Sequence, residues 1–452
     1  MSDFQEKFRK SPRGLLYISP AGSGKTKSAI EATRGGQTTV IGPASLTKNF
    51  AQEEKKHFGK VTPRTVDTYA NVARGSNLPG GNYMVLDESH NIRNPQTKAY
   101  SQLRGQRSKY QKALAMTATP LVNEPADIVS QINLVANQDI IPRDKKRFYK
   151  AFYNNVKVNP SLMDRIFKGV HSGSVRVLKD PRLVKRYLGG MVYSEPTGKF
   201  DKLLPKRNEE IVRVELGKKQ QDIYKYIEKT LPWSLRNKVR SQLPPSKQEA
   251  AKLNAFLQGL RSVSNTATPF VKKEASTDST KLDKITADLQ DELKRKGKVL
   301  VYSNYLDAGI NELKNRLTTA KVPFSGITGS TSKTERQKQV SDYVKNKTNV
   351  FLTSSAGSEG INLSGTTLVQ LTEPHWNKTR LYQAASRGIR RGDDPDKTVK
   401  IKTYVSTLPP TPHPLRFLGF KPSKPRGSAD EYLLMMSKQK EQEANSFLTA
   451  LQ

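Results

Sequence analysis

The amino-acid sequence predicts an α/β protein with two parallel-sheet lobes and a mainly helical region between them. Strand-length apolar runs alternate with helix-compatible stretches over the first third of the chain and again over its last third. Such alternation is typical of a parallel sheet that carries helices on both faces. The 452 residues suffice for about three domains, and 35% hydrophobic residues can fill their cores.

The first lobe is expected over residues 1–135. Four apolar runs bounded by turn residues have the length of strands: 15–18, 39–41, 84–86 and 113–116. Helix-like segments lie between them at 27–33 and 46–57. Residues 136–280 become lysine-rich, with helix-like stretches around 145–153, 218–229 and 247–262 and little strand pattern. We interpret this middle part as mainly helical protrusions and a linker.

The second lobe is expected over residues 281–408. Its strand-length runs are 299–302, 350–353, 368–371 and 399–405, with a helical stretch at 307–317. Residues 409–452 begin with two proline-dense connectors, LPPTPHP and KPSKPRG, which cannot continue a strand or a helix. The capping-box spacing of Ser428 and Glu431 then predicts a polar helix that extends to about residue 448.

The charge balance indicates a polyanionic partner. The 77 Lys and Arg residues against 41 Asp and Glu leave a formal net charge of +36, more than solubility requires. Nucleic acid is the first candidate, although a lysine-rich composition without a single basic face gives the same total. The absence of cysteine excludes disulfides, thiolate metal sites and cysteine nucleophiles. No apolar run approaches about 18 residues and no signal-peptide core is visible, so we expect an intracellular protein.

A phosphate-binding loop follows the first predicted strand. Residues 19–26 read SPAGSGKT, and a helix-compatible stretch follows at once. The two glycines allow backbone N–H groups to turn toward bound phosphates. Lys25 would neutralise the β and γ oxygens, and Thr26 would offer its hydroxyl to Mg²⁺. The residues expected to surround the nucleotide here are Ala21, Gly22, Ser23, Gly24, Lys25 and Thr26.

Two carboxylates follow the strand at 84–86. Residues 87–90 read DESH, which brings Asp87 and Glu88 to the carboxyl edge of the sheet. Asp87 would hold Mg²⁺, and Glu88 would orient and deprotonate the attacking water. An isolated Asp-Glu pair usually only caps the next helix. Residues 117–120, TATP, follow another strand, and we expect Thr117 and Thr119, with His90, to couple the nucleotide site to the nucleic-acid side.

With GKT, DESH and TATP in this order, the first lobe resembles helicase superfamily 2, and within it the Swi/Snf-type branch. Three further blocks carry the resemblance: GPASL at 42–46 with NF and EE after it, NIRNP at 91–95, and LVN at 121–123. Phe50 stands where the branch usually has tryptophan. Gln5, in a Phe-Gln pair upstream of the loop, is similar to the glutamine that reads adenine in the family.

The second lobe carries two further counterparts. Residues 353–363, TSSAGSEGINL, are similar to the family's fifth motif, in which Gly360 brings backbone close to ATP. Residues 383–390, QAASRGIR, are similar to the sixth motif, with Gln383 at the nucleotide. Arg387 and Arg390, three apart, are expected on one helical face as arginine fingers for the γ-phosphate. The alternative is a basic helix face that meets solvent.

The resemblance implies two RecA-like lobes of the P-loop NTPase type, helical protrusions and a C-terminal brace helix. It is nearest in kind to the short nucleoside triphosphatases of large cytoplasmic DNA viruses. It implies a monomeric motor that binds ATP and Mg²⁺ between the lobes, grips the phosphate backbone of double-stranded DNA, and serves transcription or replication complexes. The expected nucleic-acid contacts are Pro43, Ser45, Thr68, Ser303, Asn304, Thr328, Thr353 and Ser354.

Three functions remain open at this stage. The first is a duplex translocase that remodels DNA–protein complexes without separating strands. The second is a strand-separating DNA or RNA helicase, which requires a pin element that the sequence does not identify. The third is a DNA-binding transcription or packaging subunit with a vestigial ATPase, against which the intact Lys25, Glu88 and Arg390 argue.

Overall fold

The computed structural model describes residues 2–20, 23–43, 47–59, 64–159, 172–196, 198, 202, 204–271, 279–355, 357, 361–389, 393–409 and 427–451. The chain divides into two compact units. The first unit comprises Met1–Asn154, Arg176–Lys202 and Lys440–Gln452, and the second comprises Asn155–Val175 and Leu203–Gln439. No helix in the described part of the chain has the length and apolar character needed to span a membrane.

The first unit is built around a six-stranded parallel sheet. Its strands are β1 (Gly14–Ile18), β2 (Thr38–Gly42), β3 (Thr65–Thr68), β4 (Gly81–Asp87), β5 (Tyr110–Thr117) and β8 (Val192–Ser194), in the order β3-β2-β4-β5-β1-β8. Its helices are α1 (Asp3–Lys10), α2 (Lys25–Ala32), α3 (Thr47–Phe58), α4 (Tyr69–Ala73), α5 (Lys98–Gln106), α6 (Ile128–Ala136), α7 (Lys145–Phe152) and α8 (Pro181–Leu188). Two apolar clusters bury residues of this sheet and the helices around it.

The second unit has its own six-stranded parallel sheet. Its strands are β9 (Lys206–Glu215), β10 (Val299–Ser303), β11 (Phe324–Ile327), β12 (Val350–Ser354), β13 (Leu368–Leu371) and β14 (Thr398–Thr407), in the order β11-β12-β10-β13-β14-β9. Its helices are α9 (Lys218–Lys229), α10 (Trp233–Arg240), α11 (Lys247–Asn265), α12 (Thr280–Lys294), α13 (Glu312–Thr319), α14 (Lys333–Val344) and α15 (Lys378–Ala385). Helices α9, α10 and α11 share a separate apolar core.

The last helix, α16 (Ala429–Leu451), starts at the predicted capping box. The Glu431 backbone N–H donates to Ser428 Oγ at 3.1 Å, and the Ser428 N–H donates to Glu431 Oε2 at 2.9 Å. Ala429, Tyr432 and Leu433 pack in the helical core of the second unit. The other end of the helix, from Lys440, belongs to the first unit, where its Phe447 is buried.

The middle of the chain contains more strand than the sequence suggested. Residues 136–280 include β6 (Tyr153–Val158) and β7 (Gly173–Leu178), which pair with each other, as well as β8 and β9 of the two large sheets. Strand β8 has only three residues, and β9, KRNEEIVRVE, is an edge strand with mostly exposed charged residues. Neither therefore carries the apolar run by which a central parallel strand is recognised.

Candidate nucleotide-binding site

Three neighbouring strands of the first unit end at the same edge of the sheet. Ile18 at the end of β1 is in register with Thr117 at the end of β5, and Met116 is in register with Asp87 at the end of β4. The Ser19 backbone N–H continues this alignment by donating to the Thr117 carbonyl at 3.2 Å. Parallel topology therefore brings the phosphate loop, the DESH segment and the TATP segment together, where open α/β sheets bind ligands.

The phosphate loop ends in a left-handed residue that only glycine adopts without strain. Gly24 caps α2 with φ 91° and ψ 27°. Ser19 Oγ donates to Ser23 Oγ at 2.6 Å, which closes the base of the loop, and Lys25 Nζ donates to the Ser19 and Pro20 carbonyls at 3.0 Å each. The first turn of α2 starts with Lys25 and Thr26, so the N-terminal end of this helix, a position that favours an anion, lies at the phosphate loop. Ala21 and Gly22 lie outside the described residues.

Asp87 is a desolvated carboxylate with the charge of Glu88 beside it. Burial, and next the adjacent Glu88 charge, raise the pKa of Asp87 to about 6, while Lys25 opposes the shift. The Asp87 carbonyl accepts a hydrogen bond from Tyr69 OH at 2.9 Å. Burial and the two carboxylates raise the pKa of Tyr69 well above its usual value, so this hydroxyl remains a donor. Glu88 itself has a left-handed backbone with φ 50°.

These residues fit a magnesium nucleotide. A cation would relieve the unfavourable burial of the Asp87 charge, and Thr26 supplies a hydroxyl of the kind that holds Mg²⁺ beside a phosphate loop. Among the described residues, no group of three or more His, Cys, Asp or Glu side chains is arranged to hold a metal ion. Phosphate oxygens would therefore have to complete the coordination, as they usually do for Mg²⁺.

The three residues predicted to couple the site lie together. His90 Nδ1 is 3.1 Å from Thr117 Oγ1, 3.5 Å from Thr119 Oγ1 and 3.3 Å from Glu88 Oε2. The Thr119 backbone N–H also donates to Thr117 Oγ1 at 3.0 Å. A movement of the TATP segment would therefore shift the imidazole of His90, and through it the Glu88 side chain.

Gln5 lies on α1 and is engaged at both ends of its side chain. Its Nε2 donates to Glu31 Oε2 on α2 at 2.7 Å, and its Oε1 accepts from the Ser2 backbone N–H at 2.9 Å as part of a capping box. To read an adenine, this amide would have to exchange these partners for the base.

The motif that begins at Gln383 differs from the prediction in the backbone conformation of Arg387. Helix α15 carries Gln383, which is half-buried, but the helix ends at Ala385, so Arg387 lies in the turn that follows rather than on a helical face. The Arg387 and Gly388 N–H groups donate to carbonyls three residues back, and a Cβ at Gly388 would come within 2.9 Å of Thr366. Gly360 and Arg390 lie outside the described residues.

The predicted nucleic-acid contacts lie at the carboxyl ends of strands in both sheets. In the first unit Pro43 and Thr68 follow β2 and end β3, and Thr68 Oγ1 accepts the Asn71 N–H at 3.1 Å; Ser45 lies outside the described residues. In the second unit the corresponding residues are Ser303, Asn304, Thr328, Thr353 and Ser354. All of these except Asn304 are buried, and the Ser303 hydroxyl binds Glu373.

Two residues outside the recognised motifs, Tyr69 and Glu373, also make contacts at the strand ends. Tyr69 is bonded to the carbonyl of Asp87, and Glu373 is bonded to the end of β10. Glu373 follows a buried strand by two residues, so the strand-end rule that indicated Asp87 applied to it as well.

Two family models match most of the chain. The SNF2-related domain matches residues 47–268, and the helicase conserved C-terminal domain matches residues 280–392. A mimivirus protein described as an ATP-dependent RNA helicase is 27% identical over 96% of this chain and 92% of its own length. An African swine fever virus termination factor NPH-I homolog is 22% identical over 88% of this chain and 70% of its own length.

A chromatin remodelling protein of Arabidopsis thaliana is 24% identical over 72% of this chain and 18% of its own length. The solved SWI2/SNF2 ATPase core of Sulfolobus solfataricus in complex with dsDNA is 19% identical, covers 98% of this chain and 93% of its own, and superimposes with a TM-score of 0.37. The two matched domains follow each other in the order of the motifs that the sequence carries. The chain therefore belongs to the Swi/Snf-type branch of helicase superfamily 2 and is an ATP hydrolase of that family.

Proposed function

We propose that this ATPase is a nucleic-acid-dependent motor that moves along double-stranded DNA and remodels DNA–protein or transcription complexes without separating strands. The observation that supports it most directly is the site at the edge of the first sheet. A phosphate loop, the desolvated Asp87 with Glu88 beside it, and the His90–Thr117 contact meet there on three adjacent strands. Such a site is suited to hydrolysis of a triphosphate. It is also suited to passing the conformational change that follows hydrolysis to a surface that binds nucleic acid.

In this proposal the residues have separate roles. Lys25 would neutralise phosphate charge, Asp87 and Thr26 would hold Mg²⁺, and Glu88 would orient the attacking water and accept its proton. A magnesium nucleotide, when bound, would supply the phosphoanhydride bond and the electrophilic γ-phosphate. Arg387 and Arg390 are the proposed arginine fingers for the charge of a γ-phosphate. Gln5, Gly360 and Gln383 are the other proposed nucleotide contacts.

The nucleic-acid part of the proposal rests on charge and on strand ends. A net charge of +36 favours a phosphate polymer, and the candidate contacts in each unit follow parallel strands at one sheet edge. Contacts to the phosphate backbone carry little base information, so we expect low sequence specificity. Association with transcription machinery is supported by the viral relative described as a termination factor homolog.

A strand-separating helicase is the second candidate, because the mimivirus relative is described as an RNA helicase. The two candidates differ in what they do to a duplex. A translocase displaces the third strand of a triplex but leaves a forked duplex paired, whereas a helicase opens the fork. An inactive ATPase is a weaker alternative, since Lys25, Asp87 and Glu88 retain the geometry described above.

The experiment measures ATP turnover with double-stranded DNA, single-stranded DNA and RNA, followed by triplex displacement and fork unwinding. The proposal predicts the strongest stimulation by duplex DNA, triplex displacement that requires ATP, and no fork opening. The Lys25→Ala variant should lose all of these activities while it remains folded. Stimulation by RNA alone, or opening of the fork, would replace the proposal by the second candidate.

A further inference from the structure

Glu373 is a buried carboxylate with several hydrogen-bond donors around it. It follows β13 by two residues and is only 1% exposed. Its oxygens accept hydrogen bonds from Ser303 Oγ at 3.1 Å, Asn304 Nδ2 at 2.9 Å and Asn265 Nδ2 at 3.0 Å, and from the backbone N–H of Asn304. Among the described residues, no cationic side chain forms an ion pair with it. The donors must therefore stabilise the buried charge.

These bonds determine the conformation of the chain after β10. Ser303 is completely buried, and its Oγ also accepts the Tyr305 N–H at 3.1 Å. A Cβ at Gly309 would lie 2.2 Å from the same oxygen, so the Ser303 hydroxyl is tightly enclosed. Asn304, in contrast, is only half-buried, and Tyr302 OH donates to its Oδ1 at 3.0 Å.

One face of α11 anchors the segment that carries Glu373. Asn265 donates to Glu373, Arg261 donates to the Pro374 carbonyl at 2.7 Å, and Trp376 Nε1 donates to Asn254 Oδ1 at 3.0 Å. Residues 254, 261 and 265 are separated by seven and four positions, which places them on one side of the helix. The helix thus holds the segment at successive turns.

The Asn265 end of this network is fixed by a buried ion pair. Lys281 Nζ donates to Asn265 Oδ1 at 2.9 Å and to Asp430 Oδ2 at 2.6 Å, and both charged side chains are 0% exposed. Rearranging a buried pair of this kind is costly, so Asn265 has one preferred orientation. Glu373 is therefore held between two well-defined parts of the second unit.

We propose that Glu373 is a positioning residue that sets the conformation of Asn304 for binding the phosphate backbone of nucleic acid. The inference rests on the proposed function, since Asn304 is one of its candidate nucleic-acid contacts. Glu373 does not touch the ligand itself. Its hydrogen bonds hold the Asn304 backbone and amide in one arrangement, so that no ordering has to occur on binding.

The test compares Glu373→Gln, Glu373→Asp and Asp288→Asn. The Gln variant keeps the shape of the side chain but introduces an NH₂ group among donors and removes the charge. Asp288 provides the matched control, because it is a buried carboxylate of the same unit with Lys284 and Tyr404 as partners, on α12 away from the strand ends. Fluorescence anisotropy measures the affinity for a labelled duplex without nucleotide, and ATP turnover is titrated with the same duplex.

We expect Glu373→Gln to weaken duplex binding about tenfold, the usual effect of losing a charge-assisted hydrogen bond. The duplex concentration for half-maximal turnover should rise equally, whereas kcat at saturating duplex should change by less than about twofold. Glu373→Asp should recover part of the affinity because it restores the carboxylate. Asp288→Asn should bind duplex like the wild type.

Unchanged duplex affinity in Glu373→Gln would overturn the inference, as would an equal loss in Asp288→Asn or a loss in kcat alone. The proposed function fails in a different way. A wild-type chain that binds duplex without any stimulation of turnover contradicts the motor, while the anisotropy of the variants still decides the role of Glu373. A wild-type chain that does not bind duplex would overturn both.

Discussion

Among single residues, Asp87 is buried although its proposed role in holding Mg²⁺ requires a negative charge. Its pKa is raised to about 6 from a usual value of 3.8, first by burial and then by Glu88. Between these two pH values, the Asp87 carboxyl is therefore protonated in the folded protein and ionised in the unfolded chain. The Asp87 contribution to the free energy of unfolding thus falls as the pH rises through this window. A stability cost of this kind is common where a site awaits a cation.

The first prediction is that Asp87→Asn stabilises the protein while it abolishes turnover. At pH 7.5, with chelator and without nucleotide, the free energy of unfolding should rise by up to about 3 kcal/mol, and the gain should shrink toward pH 5. The Asn oxygen can still accept the Glu88 N–H, which lies 3.0 Å from Asp87 Oδ1. Urea unfolding measures the change, with the exposed Asp222→Asn as control. A variant less stable than the wild type at pH 7.5 would contradict this account of Asp87.

The second prediction separates backbone strain from phosphate binding. Gly24 and Gly35 both have left-handed backbones, with φ 91° and 83°, but only Gly24 lies in the phosphate loop. Alanine at either position should cost about 1 kcal/mol of stability. Only Gly24→Ala should also reduce turnover, by about 100-fold, because the loop is displaced from the phosphates. Equal turnover in the two variants would show that the loop geometry is not needed.

Among the helices, α16 buries the side chain of Phe447, and a substitution can test this contact. This side chain is 0% exposed and packs in the first unit against Phe148, Phe152 and Tyr153 of α7 and β6, with ring centroids 5.9 to 6.4 Å apart. Phe447→Ala should therefore lower the free energy of unfolding by about 3–5 kcal/mol and increase hydrogen exchange in α7. Phe270, which is 39% exposed, supplies the control, since Phe270→Ala should cost far less. Equal losses would show that the end of α16 does not pack as described.

Strands with continuous apolar runs were predictable from the sequence, and polar strands were not. Strands β1, β2, β10 and β12 are buried along their whole length, and each reads as an apolar run in the sequence. Strand β9 pairs with β14 over ten residues, yet its exposed charges hide it. Helix α15 ends at Ala385, and Gly388 beyond it lies close to Thr366, a contact between segments that no local pattern reveals.

The residues of the candidate site divide in the same way, into those within short sequence motifs and those that only the fold brings together. Lys25, Asp87 and His90 belong to short consecutive motifs after strands, so the motifs could be recognised in the sequence, and the structure brings them to one sheet edge. The contacts of Glu373 could not be predicted from the sequence, because its partners Asn265, Ser303 and Asn304 come from two other segments. Its function depends on the fold rather than on neighbouring residues.

At the scale of the whole molecule, the net charge of +36 makes a separate prediction. If the ligand is a phosphate polymer, the logarithm of the association constant should fall linearly with the logarithm of salt concentration. For roughly 6–10 phosphate contacts, affinity should decrease by about 10³–10⁵ between about 50 and 200 mM salt. Titration of a labelled duplex at several salt concentrations measures the slope. An affinity independent of salt would indicate a ligand recognised by something other than its charge.

We propose that Lys25 and Asp87 bind the nucleotide and that Arg387 stabilises charge on its γ-phosphate during hydrolysis. The most direct test measures nucleotide binding and single-turnover hydrolysis by Arg387→Ala with saturating duplex. We expect this variant to bind fluorescent ATP with nearly wild-type affinity but to hydrolyse it at least about 10³-fold more slowly. Hydrolysis at the wild-type rate would contradict the proposal, because Arg387 would then contribute no catalytic charge.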